Sequence, residues 1–572
     1  MANEKNNLNS VKNSQNFQID YSSVKELREI EIKDVSKGQT KLHTFNDYKR
    51  IKKRFNPSEP IVESIPRPFF GADLRHFRKF SSRIYPKGKM MIVVNYDLYP
   101  DIKSSIDQYV YDLADEGYYA YVYRYKGGSA GQLRQFIIKH RSRFTKGEVV
   151  GNSKRARLRL RRDPIGGVVF VGNLPVAWYE HTYPIWHQNE QKYIEETSVF
   201  PCDLFFMDTN GVWTDFAGDG DYNTHTEDVD AEIWVGRIWS PDMGGNNANL
   251  IRQYFSRNHL FRKGRLGHSN KGLTIVDDDW TNFGKCAMDR MLPSNNIEAY
   301  TDKIETNANT YKAKMAKRLG WAQICAHSNP YLHSFTIPDT PFKEENNIIK
   351  VGYIRDENPP QANFYNLFAC SNALFTRPDY MAGWYIFDKP GNGINPGMAA
   401  IGSTKTGSML FFENFYEPMG RGKTIGEAFV EWWKCLGSIH DTHEIYWFYG
   451  LTLLGDPTLN WWNGAVPVPV KPFDHQVFSH YPRETRYEWK PVMVEGVPVE
   501  YHVEVDAYHA KEAGKWAIET ECGKNAFAEY KTSKTYLDAS FVGAQRGRWR
   551  VRAKVGNMLC PWSEWNYFRY TC

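Results

Sequence analysis

The chain has 572 residues, 41% hydrophobic and 15% aromatic, which excludes a disordered polymer and is too long for one ordinary core, so two or three domains are expected. Its 72 Lys and Arg against 66 Asp and Glu leave a net charge of +6, too mild to argue for nucleic acid as a partner. No run approaches the ~18 apolar residues of a membrane helix, and Met1 to Asp20 lacks the apolar centre of a secretory signal; the expectation is a cytoplasmic or particle-associated protein, or one exported by a non-standard route.

Residues 1–85 are polar, rich in Lys and Asn, and carry several prolines between Asn56 and Pro68, as expected of an arm laid over the next domain or of a pro-segment. From Met90 the pattern alternates. Met90 to Asn95 reads as a strand, Ile102 to Glu116 as a helix through Ile106, Val110 and Leu113, Tyr119 to Tyr125 as a strand and Ala130 to His140 as a helix, which predicts a parallel sheet. Lys126-Gly127-Gly128-Ser129 lacks the Gly-Lys-Ser/Thr ending of a phosphate loop, so Ser129 is expected to cap the second helix. The basic run Lys154 to Arg162 has no interleaved aromatic residues to stack bases; it reads as a solvated strand or loop, or as a protease-sensitive loop.

Gly166 to Gly172 is a buried strand. The loop Asp215 to Asp221 then gathers Asp215, Asp219 and Asp221 on Gly-rich backbone, with Glu227, Asp228 and Asp230 following; hard oxygen ligands at that density suit Ca²⁺ as a structural ion, or the loop is simply hydrated. No organic cofactor is expected. Gly272 to Val276 is a strand ending in Asp277-Asp278-Asp279, a cluster that points to a cation or a partner.

Two further apolar runs deliver reactive side chains. Trp321 to Ser328 brings His327, and Asn363 to Phe375 brings Cys370, each at the carboxyl end of an expected buried strand, where α/β sheets bind their ligands. A Cys and a His need only meet in space to act as nucleophile and base, although buried Cys and His are also common as plain core residues. Of the eight cysteines, Cys202, Cys286, Cys325, Cys370 and Cys435 are scattered through the large domain like ordinary buried thiols, while Cys522, Cys560 and Cys572 gather near the end and cannot all pair internally. Tyr380 to Phe387, Gly397 to Gly402 and Ser408 to Phe412 are expected strands. Thr424 to Leu436 is an amphipathic helix with Thr424 and Glu427 set as a capping box, and Trp432 and Trp433 are core or a substrate shelf. Residues 464–472 are a Pro-rich linker. Period-two segments from Val477 onward, including Val499 to Val505, Arg548 to Val555 and Trp565 to Tyr570, indicate an antiparallel sandwich over 473–572.

The segment Ala369-Cys370-Ser371-Asn372-Ala373-Leu374-Phe375 resembles the nucleophile segment of the gingipain family of cysteine peptidases. Gly167 to Gly172, Ala231 to Ile238, Ala399 to Thr404 and Gly455 to Leu459 agree with the same family in the same order. The resemblance implies a caspase-like α/β peptidase domain over 86–463 and a C-terminal immunoglobulin-like domain. The run Trp549 to Ala553 followed by Pro561 to Trp565 is similar to the last strands of a fibronectin type III domain. The gingipain resemblance implies a cysteine endopeptidase acting on protein or peptide substrates, with Cys370 as nucleophile, His327 as acid and base, Asp278 (or its rival Asp277) orienting His327, and the backbone N–H groups of Ser328 and Cys370 as the oxyanion cradle; calcium also occurs in the family. Ser328 and Ala373 stand where the family usually has Gly, which matters where a positive φ is needed. The alternative is a catalytically silent relative serving binding, adhesion or assembly.

Overall fold

The computed structural model describes residues 59–65, 88–143, 165–187, 192–241, 243, 247–335, 347–389, 395–437, 446–492, 498–509, 515–519, 526–556, 558–560 and 562–572. The basic run 154–162, most of the N-terminal arm, Pro561 and Cys522 lie outside them.

The core is an eleven-stranded sheet. In chain order its strands are β1 (Ile61–Ile65), β2 (Gly88–Asn95), β3 (Tyr118–Lys126), β4 (Ile165–Val171), β5 (Trp234–Ile238), β6 (Gly272–Val276), β7 (Ile297–Tyr300), β8 (Leu319–Cys325), β9 (Ala362–Phe368), β10 (Ala399–Ser403) and β11 (Leu451–Gly455). Their spatial order is β1-β3-β2-β4-β5-β11-β10-β9-β8-β6-β7. Most neighbours are parallel, but β10 meets β11 antiparallel and β1 meets β3 antiparallel. The sheet is therefore mixed, with two parallel blocks running in opposite directions, where alternation alone predicted a parallel sheet. Both faces of the central strands are covered, which is why β6, β8, β9, β10 and β11 are buried at every position and show no polar alternation. β1 lends the N-terminal arm to the sheet edge, pairing Ile61 with Lys126 through Ile65 with Val122.

Helices α1 (Tyr99–Asp115), α2 (Ala130–Arg143) and α3 (Asn247–Arg262) form where periodicity or capping favours them. Ser129 caps α2, its Oγ accepting the Gln132 N–H at 3.1 Å. The helix Ile425–Gly437 begins with the expected capping box, Thr424 N–H to Glu427 at 3.0 Å and Glu427 N–H to Thr424 at 3.2 Å. Trp432 and Trp433 are fully buried core residues rather than a shelf. Asp456, just past β11, ties the layers together: it accepts from Tyr109 of α1 at 2.8 Å and from Asn258 and Arg262 of α3 at 2.8 and 2.6 Å. Burial alone would raise its carboxyl, but the Arg262 charge and these donors hold it below the ordinary range. Two expected strands are absent: Met381–Tyr385 is a 3-10 helix, and Ser408 to Phe412 makes no strand. Both segments are apolar because they are buried beside the sheet, and burial without a ladder partner leaves the backbone free to turn.

The C-terminal residues form a three-stranded and a seven-stranded sheet, packed together through Tyr487 and Trp489 against Trp549. Val468–Lys471, expected as linker, already pairs with Glu484–Lys490. The alternation of Arg548, Arg550 and Arg552 along Arg546–Val555 puts three guanidinium groups on one face, where they interleave with indole rings. Arg548 lies 4.3 Å from Trp516 and from Trp565, Arg550 4.7 Å from Trp562 and 4.4 Å from Trp565, and Arg552 4.4 Å from Trp562. Stacking on the rings offsets part of the cost of covering these cations. Cys560 is buried, and Cys572 is an exposed free thiol. The ion pairs Arg265–Glu564 and Arg550–Asp115 join this unit to the large sheet's layers.

Candidate active site

β8 and β9 pair in parallel with Cys325 opposite Phe368, and the ladder continues as the Ala326 N–H donates to the Phe368 carbonyl at 3.1 Å. His327 and Cys370 each lie two residues past that pair, at the carboxyl ends of neighbouring strands. His327 opens a short strand, His327–Asn329, that leaves the large sheet and pairs antiparallel with Leu332–Ser334.

The imidazole is held from a third strand end. Asp277 follows β6, its N–H donating to the Cys325 carbonyl at 2.9 Å, and its carboxylate accepts the Asp278 N–H at 3.0 Å to start the 3-10 helix Asp278–Phe283. The tight turn carries Asp279 to the imidazole, where its carboxylate meets His327 Nε2 at 2.7 Å. Asp279 thus meets His327, where the sequence pointed to Asp278 or Asp277; Asp277 serves as the helix cap. The hydrogen bond from His327 holds the Asp279 carboxyl below its usual range. The Trp280 ring packs 4.8 Å from the imidazole and 5.0 Å from Phe368.

Cys370 sits in a turn strapped to the loop after β10. Ser371 N–H donates to the Lys405 carbonyl at 2.9 Å and Ala373 N–H to the Ser403 carbonyl at 3.0 Å. Ser371 has φ 55, a left-handed conformation uncommon for Ser and typical of strained positions next to reactive groups. Cys370 is partly exposed as a residue, yet burial of its sulfur pushes the thiol up, opposed by the Gly407 N–H and the Lys405 charge. The Cys370 N–H also favours the anion.

The two departures from glycine are accommodated. Ser328 is in a strand rather than at positive φ, and its hydroxyl meets His333 Nδ1 at 2.6 Å, continuing through His333 Nε2 to Tyr385 at 2.8 Å. Burial pushes the His333 imidazole down to about 3, so it stays neutral. Ala373 also lacks a positive φ. Its methyl fits because residue 402 is Gly: a Cβ there would lie 2.9 Å from the Ala373 Cβ.

The expected calcium ligands do not converge. Asp215 closes its own turn, accepting N–H groups from Gly218 at 2.7 Å, Asp219 at 3.3 Å and Gly220 at 2.6 Å, and Asp219 accepts from Asp221 N–H at 3.1 Å. Among the described residues the carboxylates that gather are Asp228, Asp230 and Glu232, with ligand atoms within 4.8 Å of one another. They could supply part of the oxygen shell of a hard cation such as Ca²⁺. Burial, with Glu232 and Asp228 beside it, raises Asp230 to about 6.

The chain is similar to gingipain R. The crystal structure of that Arg-specific cysteine proteinase matches over 85% of this chain and 98% of its own, with a TM-score of 0.46 and 10% identity. Dimeric latent PorU from Porphyromonas gingivalis matches over 84% of this chain and 43% of its own, with a TM-score of 0.30 and 10% identity. A human fibronectin type III domain matches over 18% of this chain and 69% of its own, with a TM-score of 0.12 and 18% identity. No family model matches the chain, and no curated protein matches it in sequence.

Asp279, Lys405 and Gly407 are site residues that sequence reasoning did not select. The Asp triplet was visible, but which carboxylate faces His327 depends on where the 3-10 turn starts. Nothing in the sequence distinguishes a buried lysine from a solvated one.

Proposed function

We propose that this protein is a cysteine endopeptidase of the gingipain type, with a caspase-like catalytic domain and a C-terminal fibronectin-like sandwich. One observation carries the reading: His327 and Cys370 stand at matched positions past paired strand ends, with the imidazole held by a carboxylate. His327 takes the thiol proton as the Cys370 sulfur attacks the peptide carbonyl, then returns it to the leaving amine. Water hydrolyses the resulting thioester, with His327 again as base. Asp279 fixes the ring's orientation and stabilises the imidazolium. The N–H groups of Ser328 and Cys370 flank the position where the carbonyl oxygen becomes an oxyanion. In the resting site the imidazole turns to Asp279, and catalytic hydrogen bonds are commonly long before substrate binds.

A second reading is a silent binding module, favoured by the raised thiol of Cys370. The two are separated by a thiol-reactive peptide probe on the intact chain together with cleavage of a broad peptide library. The peptidase reading expects labelling at Cys370, cleavage abolished by Cys370→Ala, and both labelling and cleavage slowed by His327→Ala. A Cys370→Ala protein that cleaves at the wild-type rate removes this mechanism; no labelling and no cleavage by the unsubstituted chain moves the assignment to the binding module.

A further inference from the structure

A buried lysine calls for an explanation, because an ammonium withdrawn from water is costly unless an anion faces it. Lys405 is only 8% exposed. Its Nζ donates to the carbonyls of Thr406 at 2.6 Å and Tyr446 at 3.3 Å and lies 5.4 Å from the Phe200 ring. The titratable groups that act on it among the described residues are two thiols, Cys370 and Cys202. Its place is fixed at both ends. The Lys405 carbonyl accepts the N–H of Ser371, the residue after Cys370, and its stem runs so close to residue 450 that a Cβ there would lie 2.5 Å from the Lys405 Cγ; position 450 is Gly.

We propose that Lys405 is a positioning residue for the nucleophile, its ammonium being the counter-charge that Cys370 meets when the thiol ionises. The proposal rests on the assignment of Cys370 as nucleophile. Cys202 is the other candidate partner, but it is fully buried and burial holds it as a neutral thiol far above the ordinary range. Cys370 is raised by burial, and the Gly407 N–H and Lys405 both oppose that rise. Burial brings Lys405 down to about 8, so it is charged at neutral pH and loses its proton in mildly alkaline solution. His327 remains the proton acceptor; Lys405 exchanges no proton in the step and only favours the anion that His327 creates.

The test follows alkylation of Cys370 in the full chain, located by mass spectrometry, with neutral iodoacetamide and anionic iodoacetate across pH. Lys405→Met and Lys405→Gln are expected to slow iodoacetamide at neutral pH by about tenfold, the consequence of moving thiolate formation up by about one unit. Lys405→Arg, which keeps the charge, should stay near the wild-type profile. The Gln variant keeps a donor for the Thr406 and Tyr446 carbonyls, should the Met variant fail to fold. In the unsubstituted chain, iodoacetate should gain on iodoacetamide relative to free cysteine at neutral pH, and the gain should fade as pH passes about 8. Wild-type alkylation rates in the Met and Gln variants, or no preference for the anionic reagent in the unsubstituted chain, overturn the proposal. So does a Met variant that alkylates normally but loses cleavage of acidic peptides alone, which would make Lys405 an anchor for a substrate carboxylate. If the unsubstituted chain cleaves no peptide, the peptidase reading fails while the alkylation profiles still decide the role of Lys405.

Discussion

The Asp279–His327 pair gives a sharp test, because three consecutive aspartates compete for one role. In Asp279→Asn the carboxylate that meets His327 Nε2 at 2.7 Å becomes an amide, which can present its N–H to the ring and favour the wrong tautomer or orientation. The stability cost should be small: the His327 side chain is 7% exposed but that of Asp279 is 50% exposed, and solvent screening leaves such a pair about 0.5–1 kcal/mol. The functional cost should be larger, at least about 10- to 100-fold in the rate of Cys370 labelling by a thiol-reactive peptide and in peptide cleavage, the scale set by carboxylates that orient metal-ligating histidines. That range corresponds to about 1.4–2.7 kcal/mol of transition-state stabilisation. Asp278→Asn, in the same turn, should stay within about twofold of wild type on that scale. The pH dependence has a definite sign. Because the folded Asp279 carboxyl lies below its ordinary value, its contribution to stability is fully present above that ordinary value and is lost as pH falls through the lowered one, so the melting curves of wild type and Asp279→Asn should converge only in acid. The reasoning is refuted if Asp279→Asn labels at the wild-type rate while Asp278→Asn is slow, for then the turn presents a different carboxylate to the ring.

Asp456→Ala should destabilise the large domain by about 1–3 kcal/mol in denaturant melts, since it removes the buried acceptor of Tyr109 and Asn258 and one of the two carboxylates on Arg262, Glu116 keeping the other; a loss below about 0.5 kcal/mol would show that the cluster is replaceable. In chelator, the Asp230 carboxyl, raised to about 6 in the fold, should cost stability as pH rises from its ordinary range through that value, and Asp230→Asn should flatten this slope. Excess calcium should reverse it by about 2.7 kcal/mol at a hundred times the dissociation constant. Identical melting in calcium and chelator would show that these carboxylates hold no ion.

The sequence by itself determined the elements whose residues are buried on every face or capped by their own neighbours. β4, β6 and β8 appear where unbroken apolar runs lie, and the helices at Ala130 and Ile425 start where Ser129 with Gln132 and Thr424 with Glu427 supply reciprocal caps. Such signals are local, so they survive without knowledge of the partner. The positions of Cys370 and His327 at strand ends were legible for the same reason. Tertiary structure decided what depends on contact between distant segments: that β10 pairs antiparallel with β11 and makes the sheet mixed, and that Met381–Tyr385 coils although it is as apolar as a strand. It also decided which of Asp277, Asp278 and Asp279 reaches His327. Adjacent residues in a tight turn point in different directions, and the choice among them is fixed by Asp277 bonding to Cys325 on the neighbouring strand, a contact across 48 residues of chain that no local pattern records.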